Sequence, residues 1–149
     1  MADRRTLCFS RLEEVMPDVD RLLEGYTTAG PWSLGMICNH LGSMLQGSVE
    51  GFSVRVPWLA RARAAWIGKR TILRSGHVPE IATLSAALAP RPGLDDRAEA
   101  EALRAALRFY ALHDGPMAGH PLLGKLTRAD WDRLHCIQSA HHLSFARPA

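Results

Sequence analysis

Seven histidines are spread along the chain, and three of them crowd its last stretch as His135, His141 and His142, with Gln138 among them. Imidazoles bind divalent metals and move protons near neutral pH. At about 100° per residue, Trp131, His135, Gln138, His142 and Phe145 lie within roughly 80° of one another on a helix, with Leu134 and His141 at the edge. The polar members therefore share a face with bulky apolar ones. A face that buries Trp131 and Phe145 buries Gln138 too, and His142 with it. Buried polar groups without partners cost roughly 1–3 kcal/mol each. His40, at the margin of an earlier apolar stripe between Ile37 and Met44, is the natural partner, because helix bundles hold metals through imidazoles that point inward from facing helices. Gln138 and His142, four residues apart, reach a common point. His40, Gln138 and His142 would then offer two nitrogens and an amide oxygen, with positions open for water or substrate. His135 and His141 are the possible substitutes. Of His141 and His142, about 100° apart, one points aside, and His135 is expected to be half exposed. The competing reading is a hydrogen-bonded core cluster without metal.

Cys38 and Cys136 are weak rivals as nucleophiles, since neither falls beside His40 or His142 with a third activating partner. Both sit in helical patterns as small core residues. Three cysteines without paired spacing make a disulfide framework unexpected. With no apolar signal core after Met1-Ala2-Asp3-Arg4-Arg5 and no apolar run long enough to span a membrane, the expected location is cytoplasmic.

The elements that must position these groups read as helices. Length, 149 residues, suits one domain over residues 1–149, and 47% apolar with 22% charged residues suits a globular core. Ser10 with Glu13 signals a first helix that Pro17 kinks or starts and Gly25 ends. A loop follows from Tyr26 to Pro31. The second helix runs from near Ser33 to Glu50, closed by Gly51. The third starts near Pro57 and loses definition around Gly68 or Gly76. His77 to Gly93 reads as loop with a short helical turn, and a fourth helix spans Asp95 or Asp96 to Leu112. After a loop over His113 to Leu126, Thr127 with Asp130 caps a last helix reaching Phe145. The fold class is all-α, an up-and-down four-helix bundle with one or two short extra helices.

The net charge of +3 is small, but Arg55, Arg61, Arg63, Lys69, Arg70 and Arg74 fall in one acid-free stretch with Trp58 and Trp66. An anionic-surface binder acting through residues 55–74 is one reading. Trp58, Leu59, Ala62, Ala65, Trp66 and Leu73 share one face, so the favoured expectation is a helix packed on the core with a solvated basic side. On that expectation neither a nucleic-acid nor a membrane partner is implied.

Trp32-Ser33-Leu34-Gly35 with Asn39-His40-Leu41 resembles the second-helix signature of a branch of the DinB-like (YfiT-like) metalloenzyme superfamily, a branch known mainly as a domain of unknown function. Leu126-Thr127-Arg128-Ala129-Asp130-Trp131 is similar to its last-helix entry, and His141-His142-Leu143-Ser144-Phe145 to its closing motif. Pro57-Trp58-Leu59 and the basic run after it look like its third helix. The resemblance implies a three-histidine metal site whose outer ligands fall on His40 and His142. The middle ligand falls on Gln138, a departure, because a neutral amide is a poorer ligand than imidazole for zinc, nickel or iron. It further implies a metal-dependent enzyme, a thiol-dependent S-transferase or hydrolase acting with a low-molecular-weight thiol, and a homodimer by analogy. The alternative is a non-catalytic binding or stress-associated helical module that has lost its metal.

Overall fold

The computed structural model describes residues 3–76 and 88–149, and these are predominantly helical with one small antiparallel sheet. A 3-10 turn over Leu12–Glu14 leads into α1 (Val15–Leu23), with Pro17 in its first turn, where a missing N–H costs nothing. The carboxylate that caps this entry belongs to Glu14, not Glu13. It accepts from the backbone N–H of Ser10 (2.7 Å) and of Arg11 (3.3 Å).

Tyr26–Thr28, read from sequence as loop, forms β1 and pairs with β2 (Ala146–Pro148) in the register Tyr26↔Pro148 and Thr28↔Ala146. Three-residue strands are too short for alternation to reveal. This strand also explains why the last helix stops at Leu143, short of the expected Phe145.

The other helix boundaries follow their caps. In α2 (Leu34–Glu50) the Ser33 hydroxyl accepts from the N–H of Met36 at 3.2 Å, and Gly51 leaves the helix at φ +99°. Gly68 divides α3 (Trp58–Ile67) from α4 (Lys69–Ser75). Asp95 caps α5 (Asp96–Leu112) by accepting from the N–H of Ala98 at 2.7 Å. Thr127 and Asp130 cap α6 (Arg128–Leu143) reciprocally, each side chain accepting from the other's N–H at 3.1 Å. Most of the loop expected at His77 to Gly93 lies outside the described residues.

The core is drawn from α1, α2, α5 and α6, with Val15, Val19, Leu34, Leu103, Trp131 and Leu143 almost fully excluded from solvent. The direction of these helices is fixed by polar and close contacts. Asp96 meets Gly35, Asn39 donates to Glu99 at 3.0 Å, and Gly42 lies against Leu103 and Ala106. Numbers rise together, so α2 and α5 run parallel. His40 meets His142 while Ser48 meets His135, so α2 and α6 run antiparallel.

Parallel neighbours cannot be joined by a short turn; residues 51–95 make the return. A strict up-and-down order is therefore not what this register gives. The segment expected to pack as a third core helix serves as part of the return connection instead. Its indoles are exposed, Trp58 at 72% and Trp66 at 91%, which corrects the expectation of a core-packed apolar face. Among the described side chains of α3, the half-buried ones are Ala60 and Ala64, on the opposite side of the wheel.

Asp96 holds the parallel pair together. Its Oδ1 accepts from the N–H of Gly35 at 2.6 Å and its Oδ2 from the Tyr26 hydroxyl at 2.9 Å, while that hydroxyl accepts from the N–H of Leu34 at 2.9 Å. A carboxylate at a helix N-terminus also complements the helix dipole. Asp96→Ala should lower stability by about 2 kcal/mol, because it strands a half-buried amide and hydroxyl. At Gly35 a β-carbon would lie 3.0 Å from the carbonyl oxygen of Leu94 and 3.2 Å from the carbonyl carbon of Asp95, so Gly35→Ala should cost about 1–3 kcal/mol by wedging the helices apart. Urea denaturation of both variants tests this, and a wild-type midpoint in Asp96→Ala would remove the carboxylate from this role.

Candidate functional site

Trp32 stands immediately before the α2 cap, His40 lies two turns into that helix, and His142 lies in the last turn of α6. Their three rings form a closed triangle. The His40 and His142 centroids are 4.6 Å apart with the rings at 68°, and Trp32 lies 5.2 Å from each, stacked on His142 at 11°. His40 is buried and His142 half-buried.

The tautomer of His40 can be derived. Its Nδ1 lies 3.2 Å from the carbonyl oxygen of Leu88. A carbonyl only accepts, so Nδ1 carries the hydrogen and Nε2 keeps its lone pair. Burial lowers the pKa of His40, opposed by this carbonyl. Burial first, then His40, His141 and Arg4, pushes His142 down to about 2. Both rings are therefore neutral at physiological pH, the form that can ligate a metal or accept a proton.

Gln138 lies one turn before His142, buried, and its Oε1 accepts no hydrogen bond from the described residues. An orphaned amide oxygen in a core is costly, and a cation is one group that would satisfy it. His141 is half-buried and set edge-on to His142 at 4.9 Å, its Nδ1 3.2 Å from the Arg4 guanidinium.

His135 belongs elsewhere. Seven residues before His142, it is about 10 Å away along the helix. It is buried at 3% exposure, which corrects the expectation of a half-exposed ring. Its Nε2 is 3.0 Å from the Ser48 hydroxyl, which itself donates to the Leu45 carbonyl, so Nε2–H is the donor. The ring stacks on Trp131 at 5.1 Å and meets Tyr110 edge-on at 5.0 Å. Nearby, His120 uses Nδ1 to accept from the N–H groups of Leu122 and Leu123 at 3.0 and 3.1 Å. Both histidines make hydrogen bonds within the core. Among the described residues no three His, Cys, Asp or Glu side chains gather as a metal-binding group.

Four contributors fall outside the residues that the sequence singles out for the site. Trp32 was seen only as part of a motif, although an aromatic just before a helix cap is a recognisable signal. The Leu88 carbonyl left no signal, being backbone. Arg4 sits 4.0 Å over the Phe145 ring and donates to the Ser144 hydroxyl at 2.9 Å, while Arg5 donates to the Leu143 carbonyl at 3.0 Å and pairs with buried Asp18 at 2.7 Å. Two arginines thus close the C-terminal end of α6, where cations are favoured.

A cleft of about 320 Å³ reaches His40 between α2 and the segment after it, lined by Met44, Gly47, Phe52 and Leu88 with the polar Ser43 and Gln46. The two buried thiols, Cys38 and Cys136, do not compete as nucleophiles. Burial, then Asp96 and Glu99, raises Cys38 to about 12, and burial with Asp132 raises Cys136 to about 11, so both stay protonated.

A protein-family model matches residues 1–149, the whole chain. The chain belongs to DUF1569, the family described as Protein of unknown function. No curated protein and no solved structure matches it. In this DUF1569 chain the Trp32, His40 and His142 triangle joins the start of α2 to the end of α6.

Burial sets a pH signature for the structural pair. Burial lowers His120 to about 4, and burial with His120 and Arg128 lowers His135 to about 3. Unfolded histidines titrate near 6.5. Above that value both states are neutral and the contribution is complete. Below it the unfolded chain binds protons that the folded state refuses, and each ring costs about 1.4 kcal/mol per pH unit until its folded value is reached. Urea denaturation should therefore show a loss of roughly 3–4 kcal/mol from these two rings between about pH 7 and about pH 5. A flat profile across that window would mean the rings are not held neutral.

Proposed function

We propose that this protein is a metal-dependent enzyme of the DinB-like type, in which His40 and His142 hold a divalent zinc, nickel or iron ion with Gln138 as a weak third ligand. The observation that carries this reading is the hydrogen bond from His40 Nδ1 to the Leu88 carbonyl. Ligating histidines commonly donate their other N–H to a carbonyl, which fixes the ring and leaves the opposite nitrogen for metal. His142 as a neutral neighbour, with the orphaned Oε1 of Gln138 one turn away, makes the donor set a chemical fit. The four core helices would then be a DinB-like bundle built around that centre.

Two imidazoles and an amide leave positions open. A metal bound there would lower the pKa of a thiol or water and so supply a nucleophile. Trp32 fixes the plane of His142, the Leu88 carbonyl fixes the tautomer of His40, and the cleft beside His40 admits a small molecule. With Cys38 and Cys136 held as thiols, the sulfur nucleophile of an S-transfer would be a low-molecular-weight thiol. Hydrolysis is the same chemistry with water.

One observation favours the second reading, a non-catalytic helical module. A third histidine or carboxylate is missing from the cluster among the described residues. The two readings separate in thermal melts with added zinc or nickel. The enzyme reading predicts stabilisation of the wild type by about 2.7 kcal/mol at a hundredfold excess over the dissociation constant, most of it lost in His40→Ala. Gln138→His should complete a three-imidazole set and tighten binding in calorimetric titration. Equal shifts in wild type and His40→Ala would reject His40 as a ligand, and no shift in either would leave the non-catalytic module.

A further inference from the structure

The α3 helix presents outward the apolar face that a core helix would turn inward. Trp58 and Leu59 are 72% and 60% exposed, Trp66 is 91% exposed, and Ala62 is exposed between them. At about 100° per residue these four positions cover roughly 100° of the wheel, a continuous strip about 12 Å long. Arg61 falls about 60° to one side of the strip and Arg63 about 40° to the other, both exposed. Exposed Arg55, Arg70 and Arg74 extend the positive charge along the flanking segments, and residues 51–76 contain no aspartate or glutamate.

The mounting is firm. Ile72 and Leu73 of α4 pack against the core, and Lys69 is spent on Asp130 at 3.1 Å. Arg133 of α6 donates to the Leu73 carbonyl at 3.3 Å. The outward face of α3 is therefore carried on an anchored base.

We propose that α3 is an interfacial helix that seats the protein on an anionic lipid surface. An apolar strip with indoles at both ends and guanidinium groups along both edges matches a helix lying in the headgroup plane. Its tryptophans sit at the acyl boundary, and its arginines reach lipid phosphates on either side. A second copy fits poorly, because a two-fold contact would lay this acid-free segment against itself. Single-stranded nucleic acid would use separated stacking platforms, and it leaves the intervening Leu59 and Ala62 without a role.

The test uses the full chain with vesicles of phosphatidylcholine alone and of phosphatidylcholine mixed with phosphatidylglycerol. Co-sedimentation should be confined to the anionic vesicles, fall with added salt, and bring a blue shift of tryptophan emission. Trp58→Ser with Trp66→Ser should abolish sedimentation, and Arg61→Glu with Arg63→Glu should reduce partitioning by about tenfold or more. All four side chains are exposed, so helical circular dichroism and melting should match the wild type. Binding that ignores lipid charge, binding that survives loss of both tryptophans, or absence from both vesicle types would overturn the proposal. So would a concentration-dependent dimer that the Trp58/Trp66 variant loses, without vesicle binding by the wild type.

Discussion

The carboxylate of Asp96 is the interaction from which the rest of the arrangement follows. Asp95 and Asp96 are adjacent, yet they serve different helices: Asp95 caps its own, and Asp96 satisfies the first turn of α2 across the interface. The same carboxylate accepts a hydrogen bond from the Tyr26 hydroxyl, which ties the small sheet to the two helix starts. Parallel helices have no short turn to set their register, so a polar clamp at one end must do so. With α2 held at that height, Trp32 and His40 are placed, and α6 then presents His142 to them. Moving the clamp by one helical turn would carry His40 about 5 Å away from its partner.

Polar residues on the buried face of α6 raise the opposite problem, because each must find a partner away from water. Two solutions appear along one helix. Near its middle, His135 donates through Nε2 to Ser48 and is enclosed by Trp131 and Tyr110, an arrangement that lends rigidity. Near its end, Gln138 is buried with its Oε1 unpaired among the described residues, and half-buried His142 is held by the rings of Trp32 and His40. That difference, along one helix, separates a histidine held by a buried hydrogen bond from one held by neighbouring rings.

Much of this was legible in the sequence because caps are local. Ser33, Gly51, Asp95, Thr127 and Asp130 announce their helix ends through side-chain chemistry within four residues, and the observed ends follow them. The closeness of His40 and His142 was also legible, from polar residues set within apolar stripes. What was not legible depended on partners far along the chain. Helical periodicity finds an apolar face, but it does not say whether the core lies on that side, and α3 turns its indoles away. The parallel direction of α5 rests on contacts between residues some sixty positions apart, such as Asn39 with Glu99. His135 was misjudged because the wheel ranks positions on one helix without knowing that Ser48 and Tyr110 arrive to cover it.

The arginine strap at the end of α6 has a consequence for how the molecule assembles. Arg5 reaches Leu143 across 138 positions of chain, so this contact belongs to the most sequence-distant class in the protein. Loop-closure entropy makes such contacts late events in folding, after helices joined by shorter excursions have docked. The turn that carries His142 is tied to the N-terminal segment by Arg4 at Ser144 and by Arg5 at Leu143. Loss of the residues around Arg4 and Arg5 would release the C-terminal end of that turn, so the His40 and His142 pair depends on a segment that contributes no atom to either ring.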